Sequence, residues 1–131
     1  MSLGAVTFDD VTERRSASTK TVLIVEDEPD IRESLREVLE DEGYAVAVAS
    51  NGKEGLAQLA RLSKPCAVVL DIIMPVMSGN ELYNAMQADP ALAAIPVLVS
   101  TSDPTRAPSG VLIMKKPIDV DRFLDAVARL F

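Results

Sequence analysis

The sequence predicts a doubly wound α/β domain on a five-stranded parallel sheet, and three observations carry that prediction. Five short runs of β-branched and aliphatic residues recur along the chain, most of them separated by segments whose apolar positions fall at helical spacing. The runs are apolar along their whole length, as strands covered on both faces must be. The polar residues that break the pattern stand directly after the runs, at the sheet edge where open α/β sheets bind ligands.

At 131 residues the chain has room for one domain with a real core. Residues 1–20 mix charge, Ser and Thr without sustained period and read as a tail or linker, which leaves 21–131 as the domain. Residues 21–25 predict the first strand. Ile31, Leu35, Val38 and Leu39 then mark a helix ending near Gly43. Residues 44–49 predict the second strand, Asn51-Gly52 a turn, and 53–62 a helix burying Leu56, Leu59 and Ala60. The third strand is 66–70, followed by a helix over 80–88 with Leu82, Ala85 and Met86 inward. Residues 96–100 and 111–114 predict the last two strands. A helix over 119–130, with Val120, Phe123, Leu124 and Val127 on one face, closes the chain. Between the last two strands only nine residues, "SDPTRAPSG", are available. A parallel crossover normally takes a dozen or more, and Pro104 and Pro108 restrict the segment further. At most one helical turn is expected there.

Composition excludes several functions. The chain has no His, so imidazole bases, nucleophiles and metal ligands are ruled out within it. Net charge is −7, and Glu26, Asp27, Glu28, Asp30, Glu33, Glu37, Glu40, Asp41 and Glu42 share one window with only Arg32 and Arg36 as bases. That field repels phosphate backbones and argues against direct nucleic-acid binding. The single Cys66 cannot form an internal disulfide and opens an apolar run, which fits a buried thiol in a reducing cytoplasm. No apolar span is long enough for a membrane helix, and the start has no signal-peptide pattern, so a soluble, cytoplasmic protein is expected.

The strand ends carry the chemistry. Strand one ends in Glu26-Asp27, strand three in Asp71, strand four in Ser100-Thr101 and strand five in Lys115-Lys116, all at one edge. Three carboxylates gathered there raise one another's pKa unless a cation neutralises them. Oxygen-only ligands favour Mg2+. With the Thr101 hydroxyl and the Lys116 ammonium opposite, the pocket suits a tetrahedral dianion. Asp71, at a solvent-accessible strand end, then reads as a carboxylate nucleophile that forms an acyl phosphate. Blander readings stand beside this one. Glu26 and Asp27 suit the entry to a helix, Thr101 a strand terminus, and Asp71 a loop or capping carboxylate, although Ser78-Gly79 offers better caps.

Residues 20–131 resemble the receiver domain of two-component response regulators through "VLIVEDE" (22–28), "VVLDIIMPVMSG" (68–79), "IPVLVSTS" (95–102) and "KKP" (115–117). The resemblance implies a flavodoxin-like strand order 2-1-3-4-5. It implies that Asp71 takes a phosphoryl group from a phosphohistidine on a sensor histidine kinase or phosphotransfer protein. It also implies that Mg2+ is held by Glu26, Asp27, Asp71 and the backbone carbonyl of Ile73. Thr101 becomes the switch hydroxyl, Lys116 the phosphoryl-binding lysine, and Lys116-Pro117 a cis bond. Such a domain is no enzyme beyond its own phosphorylation and slow dephosphorylation, and it acts on a downstream protein or output domain. Two features depart from the family: the fourth helix is reduced or absent, and Ile113 replaces the usual aromatic three residues before Lys116. Partners are therefore expected on another face, at the first or last helix. Two other functions compete: a degenerate receiver that binds proteins without phosphorylation, and a phosphohydrolase, whose second Asp would fall on Ile73.

Overall fold

The computed structural model describes residues 19–131; most of the expected tail, residues 1–18, lies outside this range. The elements run β1 Thr21–Val25, α1 Pro29–Asp41, β2 Ala45–Ala49, α2 Gly52–Leu59, β3 Cys66–Asp71, α3 Gly79–Ala88, β4 Val97–Thr101, β5 Leu112–Lys115 and α4 Val120–Arg129. All strand pairs are parallel and the order is β2-β1-β3-β4-β5. Among the described residues, no helix is long and apolar enough to cross a membrane.

Strands β1 to β4 contribute to two cores, which is why their sequences are apolar up to the polar residues at their ends. Val22, Ile24, Val69 and Leu98 point to one face and meet Leu35 and Leu39 of α1 and Phe123 and Val127 of α4. Their neighbours Leu23, Val25, Val68, Leu70 and Val99 point the other way, against Leu59 of α2 and Leu82 and Met86 of α3.

Local chemistry sets the helix starts. Ser78 caps α3 in a reciprocal capping box with Glu81. Asn51, expected in a turn, is instead the N-cap of α2, its side chain accepting from Glu54 N at 2.9 Å. That helix stops at Leu59, short of residue 62, so Ala60 is exposed and Gly55 takes the buried position. Tyr44 belongs to the turn before β2, because its N–H donates to Leu39 O at the end of α1 and its ring stacks on Phe131. In α4, Asp119 is the cap, Val120 is 49% exposed rather than inward, and Ala126 is buried in its stead.

The β4–β5 connection holds a single 3-10 turn, Pro104–Arg106, capped by Asp103 and tied to α3 by the Asn80 side-chain amide donating to Arg106 O at 3.0 Å. Among the described residues no full helix stands between β4 and β5, and Leu112 and Ile113 of β5 remain 38% and 40% exposed.

The start of α3 packs closely on the chain leaving β3. Gly79 N donates to Ile72 O at 2.9 Å, and a Cβ on Gly79 would stand 2.2 Å from the Asp71 carbonyl oxygen and 2.7 Å from Ile72 Cα. Both obstacles are backbone, so neither can turn aside. Gly79→Ala is expected to lower stability by roughly 2 kcal/mol or more, as severe overpacking does. Ser78→Ala, which removes only the cap, should cost about 1 kcal/mol. Urea denaturation of the two variants checks the order.

Candidate functional site

The carboxyl ends of β1, β3, β4 and β5 build the site. Register pairs Val25 with Leu70 and Asp71 with Ser100, so Glu26, Asp71 and Ser100 form one transverse row on the face covered by α1 and α4. Lys116 follows β5 and reaches back over the end of β4. Its Nζ lies 2.7 Å from Glu26 Oε1 and 3.7 Å from Asp71 Oδ2. The Glu26, Asp27 and Asp71 carboxylates each place an oxygen within 4.8 Å of the others.

These groups are more buried than a strand end suggests. Asp71 is 6% exposed and Glu26 2%, which corrects the expectation of a solvent-accessible Asp71. Backbone and side-chain donors hold them. Ile73 N donates to Asp71 Oδ1 at 3.3 Å, and Glu28 N to Glu26 Oε2 at 3.2 Å. Arg32 donates from its guanidinium to the Glu26 carbonyl at 2.8 Å. That contact was not foreseen, since the sequence shows Arg32 only as one base among many acids.

Three carboxylates face one ammonium. Burial first, and then the Glu26 charge, push the Asp71 carboxyl up to about 7, with Lys116 pulling only part of the way back. For Lys116 burial works downward, but the Glu26 hydrogen bond and the Glu26, Asp71 and Glu28 charges outweigh it and raise its pKa. The donors are oxygens only and carry excess negative charge, so they fit a hard divalent cation. A +2 ion would bring three negative charges and one positive charge to neutrality.

Thr101 is fully buried at the end of β4. Its hydroxyl is turned to its own loop, accepting from Asp103 N at 3.1 Å and donating to Asp103 O at 3.4 Å. Its carbonyl accepts from Lys116 N at 2.9 Å, so hydroxyl and lysine share one backbone support. The Ile73 side chain is 46% exposed in the turn after Asp71. The Lys116-Pro117 bond is cis, as is Lys64-Pro65, which nothing in the sequence had indicated. Lys115 is exposed.

A parallel sheet ordered β2-β1-β3-β4-β5, with an acidic cluster and a lysine at its carboxyl edge, defines a class of flavodoxin-like domains with a polar strand-end site. Family comparison narrows the class, since the response regulator receiver domain matches residues 22–128. The chain belongs to that family. A response regulator receiver protein of Anaeromyxobacter is 39% identical over 79% of this chain and 45% of its own length, so the chain spans less than half of that relative. The polar-differentiation response regulator DivK of Brucella anthropi is 34% identical over 82% of this chain and 93% of its own. Among solved structures, response regulator TrrA of Thermotoga maritima in complex with Mg(2+)-BeF is 29% identical with a TM-score of 0.76, covering 86% of this chain and all of that one (100%). Chemotaxis protein CheY4 of Vibrio cholerae is 27% identical with a TM-score of 0.77, covering 87% and 100%.

The raised Asp71 pKa fixes a pH dependence. With a folded value of about 7 above an ordinary 3.8, the favourable contribution is fully present below 3.8 and is lost as pH rises through 7. Metal-free wild type should therefore lose stability relative to Asp71→Asn between those limits, by on the order of a few kcal/mol. Paired denaturation curves at low and neutral pH measure it; a constant difference between the two proteins would contradict the assignment.

Proposed function

We propose that this chain is a phosphoacceptor receiver, in which Asp71 takes a phosphoryl group from a phosphohistidine on a sensor histidine kinase or phosphotransfer protein. The observation that carries this reading is the Asp71 carboxylate buried beside Glu26 and Asp27, with the Lys116 ammonium 3.7 Å away. An Asp71 oxygen attacks the donor phosphorus in line, and the donor's bond to phosphorus breaks with the electron pair leaving on the donor. Lys116 neutralises the phosphoryl oxygens from the β5 side. Magnesium, when held by Glu26, Asp27, Asp71 and the Ile73 carbonyl, supplies the remaining charge compensation. The Thermotoga relative in complex with Mg(2+)-BeF supports that choice of cation.

The switch follows from the Thr101 contacts. To reach a phosphoryl group, the hydroxyl gives up the Asp103 amide, and the loop behind it loses its anchor. Asp103 caps the 3-10 turn that Asn80 holds to α3, so the change spreads to that surface, and binding of a downstream protein or output domain is altered there in place of the first or last helix that the sequence suggested. The site catalyses its own phosphorylation and a slow dephosphorylation and turns over no separate substrate. A cytoplasmic setting suits a soluble kinase partner and the lone Cys66.

Incubation with magnesium and a small phosphodonor, followed by intact mass, tests the reading. A single phosphoryl adduct that Asp71→Asn abolishes is expected. Absence of an adduct in wild type would favour a degenerate receiver, and sustained donor turnover a phosphohydrolase. Chelation should prevent the adduct, and Asp27→Ala should weaken magnesium binding more than Glu26→Ala, because Glu26 is already engaged by Lys116. Adduct lifetime gives a further check. Water must pass the exposed Ile73 side chain, which cannot orient it, so Ile73→Asn should shorten the lifetime several-fold, roughly the effect of one well-placed hydrogen bond.

A further inference from the structure

One polar group in the strand-end row has no part in the ion pair or the proposed cation site. Ser100 is 3% exposed, and its Oγ has no hydrogen-bond partner among the described residues. The sequence places it beside Thr101 at the end of strand four without a role of its own, since a Ser at a strand end gains weight only once its burial is seen. A buried hydroxyl left unpaired is destabilising, whereas an Ala in the same place would carry no such penalty. The hydroxyl therefore needs a partner that the resting arrangement does not supply.

Register identifies that partner. Ser100 pairs with Asp71 on β3 and with Met114 on β5. Leu98, two residues before it, and Met114 both pack into the α1/α4 core, so Ser100 shares that face with Asp71. Strand neighbours lie about 4.8 Å apart, close enough for a hydroxyl to reach the adjacent carboxylate by turning about one bond. Met114 offers only a thioether. Asp71 Oδ1 has the Ile73 amide, and Oδ2 faces Lys116 at 3.7 Å, beyond hydrogen-bond length.

We propose that Ser100 is a positioning residue for phosphoryl transfer: its hydroxyl donates to the Asp71 carboxylate when the Lys116 ammonium turns to the incoming phosphoryl group, a role that rests on Asp71 being the phosphoacceptor. No proton is transferred. The hydrogen bond fixes the plane of the carboxylate, so that the other oxygen meets the donor phosphorus in line, while the oxygen–phosphorus bond forms on Asp71 and the donor's bond breaks. A small residue on β4 also leaves a path for the Lys116 side chain across that strand to Glu26, where its Nζ ends 2.7 Å away.

The test uses Ser100→Ala and Ser100→Cys in the full chain, with magnesium and acetyl phosphate, following adduct formation by intact mass over a range of donor concentrations. Cysteine fills nearly the same space with a weak donor, which separates hydroxyl from volume. The saturating rate should fall roughly tenfold in both variants, with the half-saturating donor concentration unchanged. Without magnesium or donor, Ser100→Ala should melt at or above the wild-type temperature, because it removes an unpaired hydroxyl. A wild-type rate in Ser100→Ala, a fast Ser100→Cys beside a slow Ser100→Ala, or a lowered melting temperature in Ser100→Ala would each overturn the proposal. If wild type itself takes no adduct, the phosphoacceptor reading fails and this role falls with it; an adduct in wild type with an unchanged Ser100→Ala rate defeats Ser100 alone.

Discussion

Two carboxylates held side by side out of water, with a single ammonium between them, set the terms for this end of the molecule. Glu26 and Asp71 come from neighbouring strands, and Lys116 must cross the end of β4 to reach them. The ion pair therefore joins the first strand to the segment after the last. Its energy is a balance, because desolvating each charge costs several kcal/mol that the attraction regains only when the remaining lone pairs are satisfied. The Glu28 and Ile73 amides serve that end, while the Arg32 guanidinium holds the Glu26 backbone carbonyl. One lysine still leaves the cluster short of positive charge, and the shortfall appears as an Asp71 that holds its proton far above the ordinary carboxylate range.

The connection after β3 belongs to the same constraint. After Asp71 ends its buried strand, the loop of residues 72–78 returns so that the start of α3 packs on the Asp71 and Ile72 backbone, and Gly79 with its Ser78 cap makes that close approach possible. A residue with a side chain at position 79 would press on the backbone of the acceptor itself. Fold and site are thus coupled through backbone, over a few residues.

Most of the architecture was legible because burial on both faces leaves a plain mark: five apolar runs, each ending in polar residues. The same logic exposed Glu26, Asp27, Asp71, Thr101 and Lys116, and the structure brings the three acids and the lysine together, with Thr101 at the adjoining strand end but turned to Asp103. Boundaries slipped where capping outranks periodicity. Asn51 and Asp119 spend their side chains on backbone N–H groups, and β4 begins one residue late because Pro96 has no N–H for the ladder. Val120 sits in the first turn of α4, before that helix meets the core, so an apolar residue there is not a buried one. Ser100 was placed at its strand end but without a role, and Arg32 was read only as one base among acids, because burial and a contact across a turn leave no periodic trace.

The short connection before β5 has a consequence for the molecule in a crowded solution. An uncovered edge strand with exposed Leu112 and Ile113 is a template on which other chains can pair, the hazard that leads from soluble monomers to aggregates. β5 is kept to four residues, ends on the exposed Lys115, and is followed within two residues by a proline that cannot extend the ladder. The overall charge of −7 adds mutual repulsion between copies. Strand length, one lysine, one proline and net charge thus guard the edge, so colloidal behaviour there depends on a handful of side chains.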